Sequence, residues 1–117
     1  MTTQQVANRL VELCRQGKVL EAGQELYSQD IVSVEPNFAS VPKAIGKKAV
    51  GEKGAQFAAS IEQRHGGSFG EPVVAGRFFS VAITLDATFK GRGRQSIEEV
   101  AAYEVKDGKI VFEQFFY

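Results

Sequence analysis

Three carboxylates and two tyrosines are the side chains of this sequence best suited to chemistry: Glu35, Glu99, Glu113, Tyr103 and Tyr117. Glu35 stands in DIVSVEP (residues 30–36), where Ile31, Ser33 and Glu35 alternate with Val32 and Val34. Successive strand residues point to opposite faces, so Glu35 lies opposite the valines. Over residues 97–105 the same alternation puts Glu99, Ala101 and Tyr103 on one face, and in the closing run it groups Glu113, Phe115 and Tyr117. A carboxylate in an apolar cavity has its charged form desolvated, which raises its pKa toward the range useful for moving protons. Carboxylates crowded together cannot all ionise cheaply; one is then protonated near neutral pH and acts as an acid. The competing reading makes Glu35 a solvated strand end or the partner of a lysine such as Lys43 or Lys47. It puts the other glutamates on the outer face or at an interface.

His65 and Cys14 are the only histidine and the only cysteine. One of each is too few soft ligands for zinc, and no His/Cys/Asp spacing resembles a metal site, so neither metal nor cofactor is expected. A lone cysteine on an apolar helix stripe reads as packing, and the absence of a second one fits a reducing cytoplasm. Asp86, between Thr84 and Thr88, reads as an outer-face residue, and Lys90, Arg92 and Arg94 as a solvated basic loop.

These side chains need a scaffold, and its centre is AGRFFSVAITLDATF (residues 75–89). Val81, Ile83, Leu85, Ala87 and Phe89 recur at a spacing of two, which makes a long central strand with one apolar face. Residues 95–106 and 109–117 continue it as an antiparallel meander, the second turn carrying an Asp107-Gly108 type I′ signal. Ahead of the sheet, Val6, Leu10, Leu13 and Cys14 form one stripe of a first helix (residues 3–16), and a shorter helix follows (residues 18–27). A third helix is expected over residues 47–64, with Val50, Gly54, Phe57, Ala58, Ile61 and His65 on one face and a stop at His65-Gly66-Gly67. Residues 37–46 read as a loop at the mouth of the site. The order α-α-β-α-β-β-β-β predicts an α+β domain, helices on one side of a curved antiparallel sheet.

The chain has 117 residues, 44% hydrophobic and 24% charged, so a single domain (1–117) with one core is expected. Lys+Arg and Asp+Glu balance at 14 each, which gives no electrostatic case for nucleic acid. No apolar run reaches the roughly 20 residues of a membrane span, and the N-terminus lacks a signal-peptide pattern.

This order resembles the cystatin-like α+β cone of the nuclear-transport-factor-2-like superfamily, which includes ketosteroid isomerases and SnoaL-like polyketide cyclases. The local carriers of the likeness are D-x-x-x-V-E-P (residues 30–36) and YEVKDGKIV (residues 103–111). The resemblance implies that Glu35, preceding the strand-ending proline, takes the place of the isomerase general base. It also implies that Glu99, Tyr103, Glu113 and Tyr117 look into a cavity, with His65, Phe57 and Leu10 completing the ligand-binding lining. The isomerase oxyanion hole is not matched. Leu10 stands where the first-helix tyrosine would be, and Ala101 where the penultimate-strand aspartate would be. Orthodox ketosteroid isomerase activity is therefore not expected.

Two functions fit. One is a pocket for a small apolar molecule with isomerase, cyclase or hydrolase chemistry through Glu35; the other is a non-catalytic ligand-binding or protein-interaction module. A homodimer is expected under both, because Val100, Ala102 and Phe112 or Phe116 leave apolar area on the second face of the sheet.

Overall fold

The computed structural model describes residues 1–117. Two helices open the chain: α1 (Thr3–Arg15) and α2 (Val19–Leu26). The Thr2 hydroxyl accepts from the Gln5 amide while the Gln5 side chain accepts from the Thr2 amide, a capping box that fixes where α1 starts. Its expected stripe is the observed one, with Val6, Leu10, Leu13 and Cys14 all buried. Gly17, with φ 77°, makes the turn into α2. Val19, on the first turn of α2, is half exposed.

The remaining elements are β1 (Tyr27–Val34), β2 (Lys43–Ile45), α3 (Lys47–Ser60), β3 (Ile61–Phe69), β4 (Val73–Ala75), β5 (Phe78–Phe89), β6 (Gly93–Lys106) and β7 (Lys109–Phe116). They build an α+β domain, three helices on one curved sheet of order β2-β1-β7-β6-β5-β3, with β4 pairing beside β5. The sheet is mixed: β1 runs parallel to β7, and the other pairs are antiparallel.

The meander is as expected. β5 and β6 pair without interruption from Phe78↔Glu104 to Phe89↔Gly93, and Asp107 and Gly108 both take positive φ (51° and 75°) in the β6–β7 turn. Val81, Ala87 and Phe89 are buried on the inner face of β5, Ile83 and Leu85 partly so. The core joins α1 and α2 to Ile31, Phe79, Val81, Ala101, Tyr103 and Ile110, with Phe79 and Tyr103 stacked at 4.6 Å between ring centroids.

Two segments differ from the sequence expectation. The third helix ends at Ser60, and residues 61–69 form a strand on β5 instead of a further turn and a stop. Ile61, at φ −83° and ψ 118°, is already extended. Gly67 lies so close to β5 that an added Cβ would sit 2.6 Å from the Thr84 carbonyl oxygen. Gly67 serves close strand approach, not a helix C-cap. The loop at residues 37–46 is likewise partly ordered, since β2 pairs with β1 and the Glu35 amide donates to the Pro42 carbonyl at 2.8 Å. No helix is long and apolar enough to cross a membrane.

Candidate functional site

The inner face of the sheet is built as a ladder. Register places Tyr103 opposite Glu113 and Ala101 opposite Phe115, and Glu99 lies two residues further along β6 on the same face. On the other side of β7, Ser33 pairs with Glu113, which puts Glu35, just past the end of β1, beside the same ladder. The three glutamates therefore gather on one face, as the alternation predicts.

What organises them is a residue from α3. Lys53 Nζ donates to Glu35 Oε2 at 2.9 Å, with side chains 16% and 15% exposed, and also donates to Ser33 Oγ. Its charge lies 5.3 Å from the Phe115 ring centroid. The Tyr117 hydroxyl donates to the other Glu35 oxygen at 2.8 Å. The lysine pairing expected as the alternative for Glu35 is thus real, but its partner is Lys53, not Lys43 or Lys47.

Glu113 is 2% exposed. The Ser33 hydroxyl donates to its Oε2 at 2.6 Å and the Tyr27 hydroxyl to its Oε1. Burial pushes its pKa up, while the two hydrogen bonds and the Lys53 charge oppose the rise. The Glu99 carboxyl makes no hydrogen bond within the chain. Burial, reinforced by the charge on Glu35, raises its pKa to about 7, with Lys53 acting in the opposite direction. The Tyr117 hydroxyl is raised by burial and by its bond to Glu35. Burial likewise lifts the Cys14 thiol to about 11, consistent with a packing role.

Other expected residues lie elsewhere. Leu10 is buried in the hydrophobic core. Phe57 is half exposed one turn beyond Lys53 and covers Phe89, its ring centroid 5.9 Å away. His65 is on β3, not on a helix, and must be moved from the inner to the outer face. It hydrogen-bonds Thr88 Oγ1 at 2.7 Å and faces Asp86, both on the side of β5 opposite Ala87 and Phe89. Asp86 is on that outer face as expected and pairs with Arg94 at 2.8 Å. No group of three or more His, Cys, Asp or Glu side chains is arranged to hold a metal ion.

The side-chain types of Lys53, Ser33 and Tyr27 do not single them out. Ser33 shares the alternation of Glu35, and Lys53 interrupts an apolar stripe three residues after Val50 and four before Phe57.

Outside this site, a depression of about 340 Å³ opens on the outer face, lined by Val73, Phe78, Ala102, Glu104 and Phe112. Phe78, Val100 and Phe116 on that face are each about half exposed, at 49%, 45% and 51%.

None of the curated proteins compared with the chain matches its sequence. Among solved structures, one from Mesorhizobium loti, described as a candidate SnoaL-like polyketide cyclase, is 35% identical, with a TM-score of 0.94 over 100% of both chains. A nuclear-transport-factor-2-like protein of unknown function from Burkholderia pseudomallei superposes with a TM-score of 0.80 at 14% identity, over 100% of this chain and 92% of that one. A protein of ketosteroid-isomerase-like fold from Catenulispora acidiphila, solved with trimethylamine, gives 0.75 at 15% identity over 96% and 84%. The latter two share the fold. The SnoaL-like domain family matches residues 1–117 in full, and with the 35% identity across the whole chain it follows that this protein belongs to the SnoaL-like domain family.

Proposed function

We propose that this SnoaL-like domain binds a small apolar carbonyl compound between α3 and the sheet and moves a proton at the carbon beside the carbonyl, with Glu35 and Glu99 as the acid/base pair. The observation that carries the reading is the unequal treatment of these two carboxylates. Glu35 is held by Lys53 and Tyr117, whereas Glu99 has no partner and a pKa near 7. A carboxyl whose pKa is raised toward neutrality beside a second carboxylate is a pattern of acid/base sites. The likeness to a candidate polyketide cyclase supports a carbonyl-rich substrate.

The test is deuterium exchange. Cyclic ketones and polyketide-like phenols are incubated with the protein in D₂O, and α-proton loss is followed by NMR for wild type, Glu35→Gln and Glu99→Gln. Exchange above buffer that falls at least tenfold in either variant is the expected result. No exchange with any ketone, together with unchanged melting temperature in every ligand, removes the proposal.

A second reading, a ligand-binding module without catalysis, is favoured by one observation. Leu10 and Ala101 are buried apolar residues, and the Tyr117 hydroxyl and Lys53 are already engaged by Glu35, so of the tyrosines and lysine at the site only the Tyr103 hydroxyl is without a partner, too few donors for an oxyanion hole of the isomerase kind. Ligand-induced stabilisation without exchange would select it. Under both readings we place the protein in the cytoplasm and as a homodimer packed through the outer sheet face.

A further inference from the structure

Glu113 has no direct route to a ligand: it is 2% exposed and both its oxygens accept hydrogen bonds. What it controls is Ser33. A serine hydroxyl has one hydrogen and two lone pairs. In Ser33, which is 0% exposed, the hydrogen goes to Glu113 Oε2, so the lone pairs are left for the ammonium of Lys53 arriving from α3. A continuous chain therefore runs Tyr27–Glu113–Ser33–Lys53–Glu35–Tyr117, from the floor of the cone to the end of the sheet.

A lysine ammonium is a compact charge on a flexible four-carbon stem with three rotatable donors. Glu35 alone, itself 15% exposed, leaves that stem free to swing outward into solvent, where a lysine ordinarily keeps its charge. A second acceptor at a fixed, fully buried point removes the freedom, but only while the Ser33 hydrogen is turned away. Without an acceptor at Glu113, that hydrogen has no partner on the far side and competes with the ammonium for the space between them.

We propose that Glu113 is a positioning residue: acting through Ser33, it fixes the Lys53 ammonium on Glu35 and so leaves Glu99 as the one unpaired carboxyl of the site. The functional meaning rests on the acid/base reading above, while the geometry can be tested without any substrate.

The groups that face Glu99 are Glu35 from β1, Lys53 from α3, Glu113 and Tyr117 from β7, and Tyr103 on its own strand. This gives the test a sign. As a bare negative charge, Glu113 raises the Glu99 pKa, so its removal would lower it. If Glu113 acts by holding Lys53, its removal frees the one cation that lowers the Glu99 pKa, and the midpoint rises.

The experiment is a carboxyl ¹³C-NMR titration of Glu99 in wild type, Ser33→Ala, Glu113→Leu and the double variant. Each single variant is expected to raise the midpoint by about half a unit or more, and Glu113→Leu is expected to raise it no further in the Ser33→Ala background. A fall or no change in either single variant, or additive shifts, overturns the proposal. A measurement on the wild-type protein guards against variants that do not fold: the Lys53 ammonium protons should exchange with water at least tenfold more slowly than those of the exposed Lys106. Exchange at the surface rate overturns the proposal without any variant. Absence of ketone exchange would remove the proposed reaction and leave this result standing.

Discussion

The Lys53 ammonium and the Glu35 carboxylate meet at 2.9 Å across 18 residues of sequence, joining α3 to the end of β1 at a point where each side chain is about one-sixth exposed. Glu35 is therefore not an isolated base in an apolar cavity. It is the fixed anion of the site, and the adjustable one is Glu99.

Breaking that pair from one side should be worse than removing it. Lys53→Met leaves Glu35 without its cation in a mostly dry setting, and Tyr117 alone does not replace it. Exposed pairs are worth at most about 1 kcal/mol, and orphaning one partner of a fully buried pair costs about 3–5 kcal/mol. At this partial exposure a loss of about 2 kcal/mol is expected, and Lys53→Met/Glu35→Gln should recover most of it. Denaturant unfolding of the four proteins measures both. A loss below about 0.5 kcal/mol in Lys53→Met would mean that the pair is solvated in solution.

Glu99 sets a pH dependence of definite sign. Its folded-state pKa, about 7, is above the ordinary 4.5, so the folded protein holds this proton more tightly than the unfolded chain. The associated stability is fully present below pH 4.5 and is lost as pH rises toward and through 7. Glu99→Gln removes the titration. The variant should match wild type near pH 4.5 and exceed it above pH 7.5, by about 1–2 kcal/mol once residual solvent screening is allowed for. Chemical denaturation at a series of pH values checks this, and parallel pH curves for the two proteins would contradict it.

The legible part of this fold was the part with short-range periodicity. The alternation of β5, the Asp107-Gly108 turn and the α1 stripe depend on neighbours two to four residues apart, and these gave the architecture and the common face of Glu35, Glu99 and Glu113. β3 was illegible for a physical reason. Bulges between Ile61 and Gln63 and between Arg64 and Gly66 break its period of two, while Phe57, Ile61 and His65 happen to recur every four residues and so imitate a helix. The same imitation puts His65 on the inner face in the sequence pattern, whereas the strand turns it outward to Thr88. Lys53 was illegible because a lysine in an apolar stripe ordinarily keeps its charge in water. Only the approach of β1 and β7, paired in parallel from opposite ends of the chain, supplies the acceptors that draw it inward.

The two adjacent glycines of β3 should respond differently to the same substitution. A Cβ at Gly67 would lie 2.6 Å from the Thr84 carbonyl oxygen and 3.4 Å from Leu85 Cα, backbone atoms that cannot step aside alone. One at Gly66 meets nothing within 4 Å. Gly67→Ala should cost about 1–3 kcal/mol, and Gly66→Ala should stay within about 0.5 kcal/mol of wild type. Equal thermal shifts for the two variants would show that β3 is not in this register on β5.

The outer face gives the last prediction. Val100 and Phe116 face each other across β6 and β7, and with Phe78 they present apolar side chains that are each about half exposed on one side of the sheet. Isolated exposed hydrophobics need no explanation, but a contiguous group on a sheet face is the signature of a protein interface. Because these side chains lie opposite the Glu35–Lys53 site, a charge introduced there should leave the site intact. Phe116→Glu is expected to convert a micromolar dimer to a monomer in sedimentation velocity while keeping the wild-type circular dichroism spectrum. The burial of an apolar face in the dimer should also make the melting temperature of wild type, but not of Phe116→Glu, rise with protein concentration. A wild-type protein that sediments as a monomer at these concentrations, with a melting temperature independent of them, removes the dimer and leaves the outer face exposed.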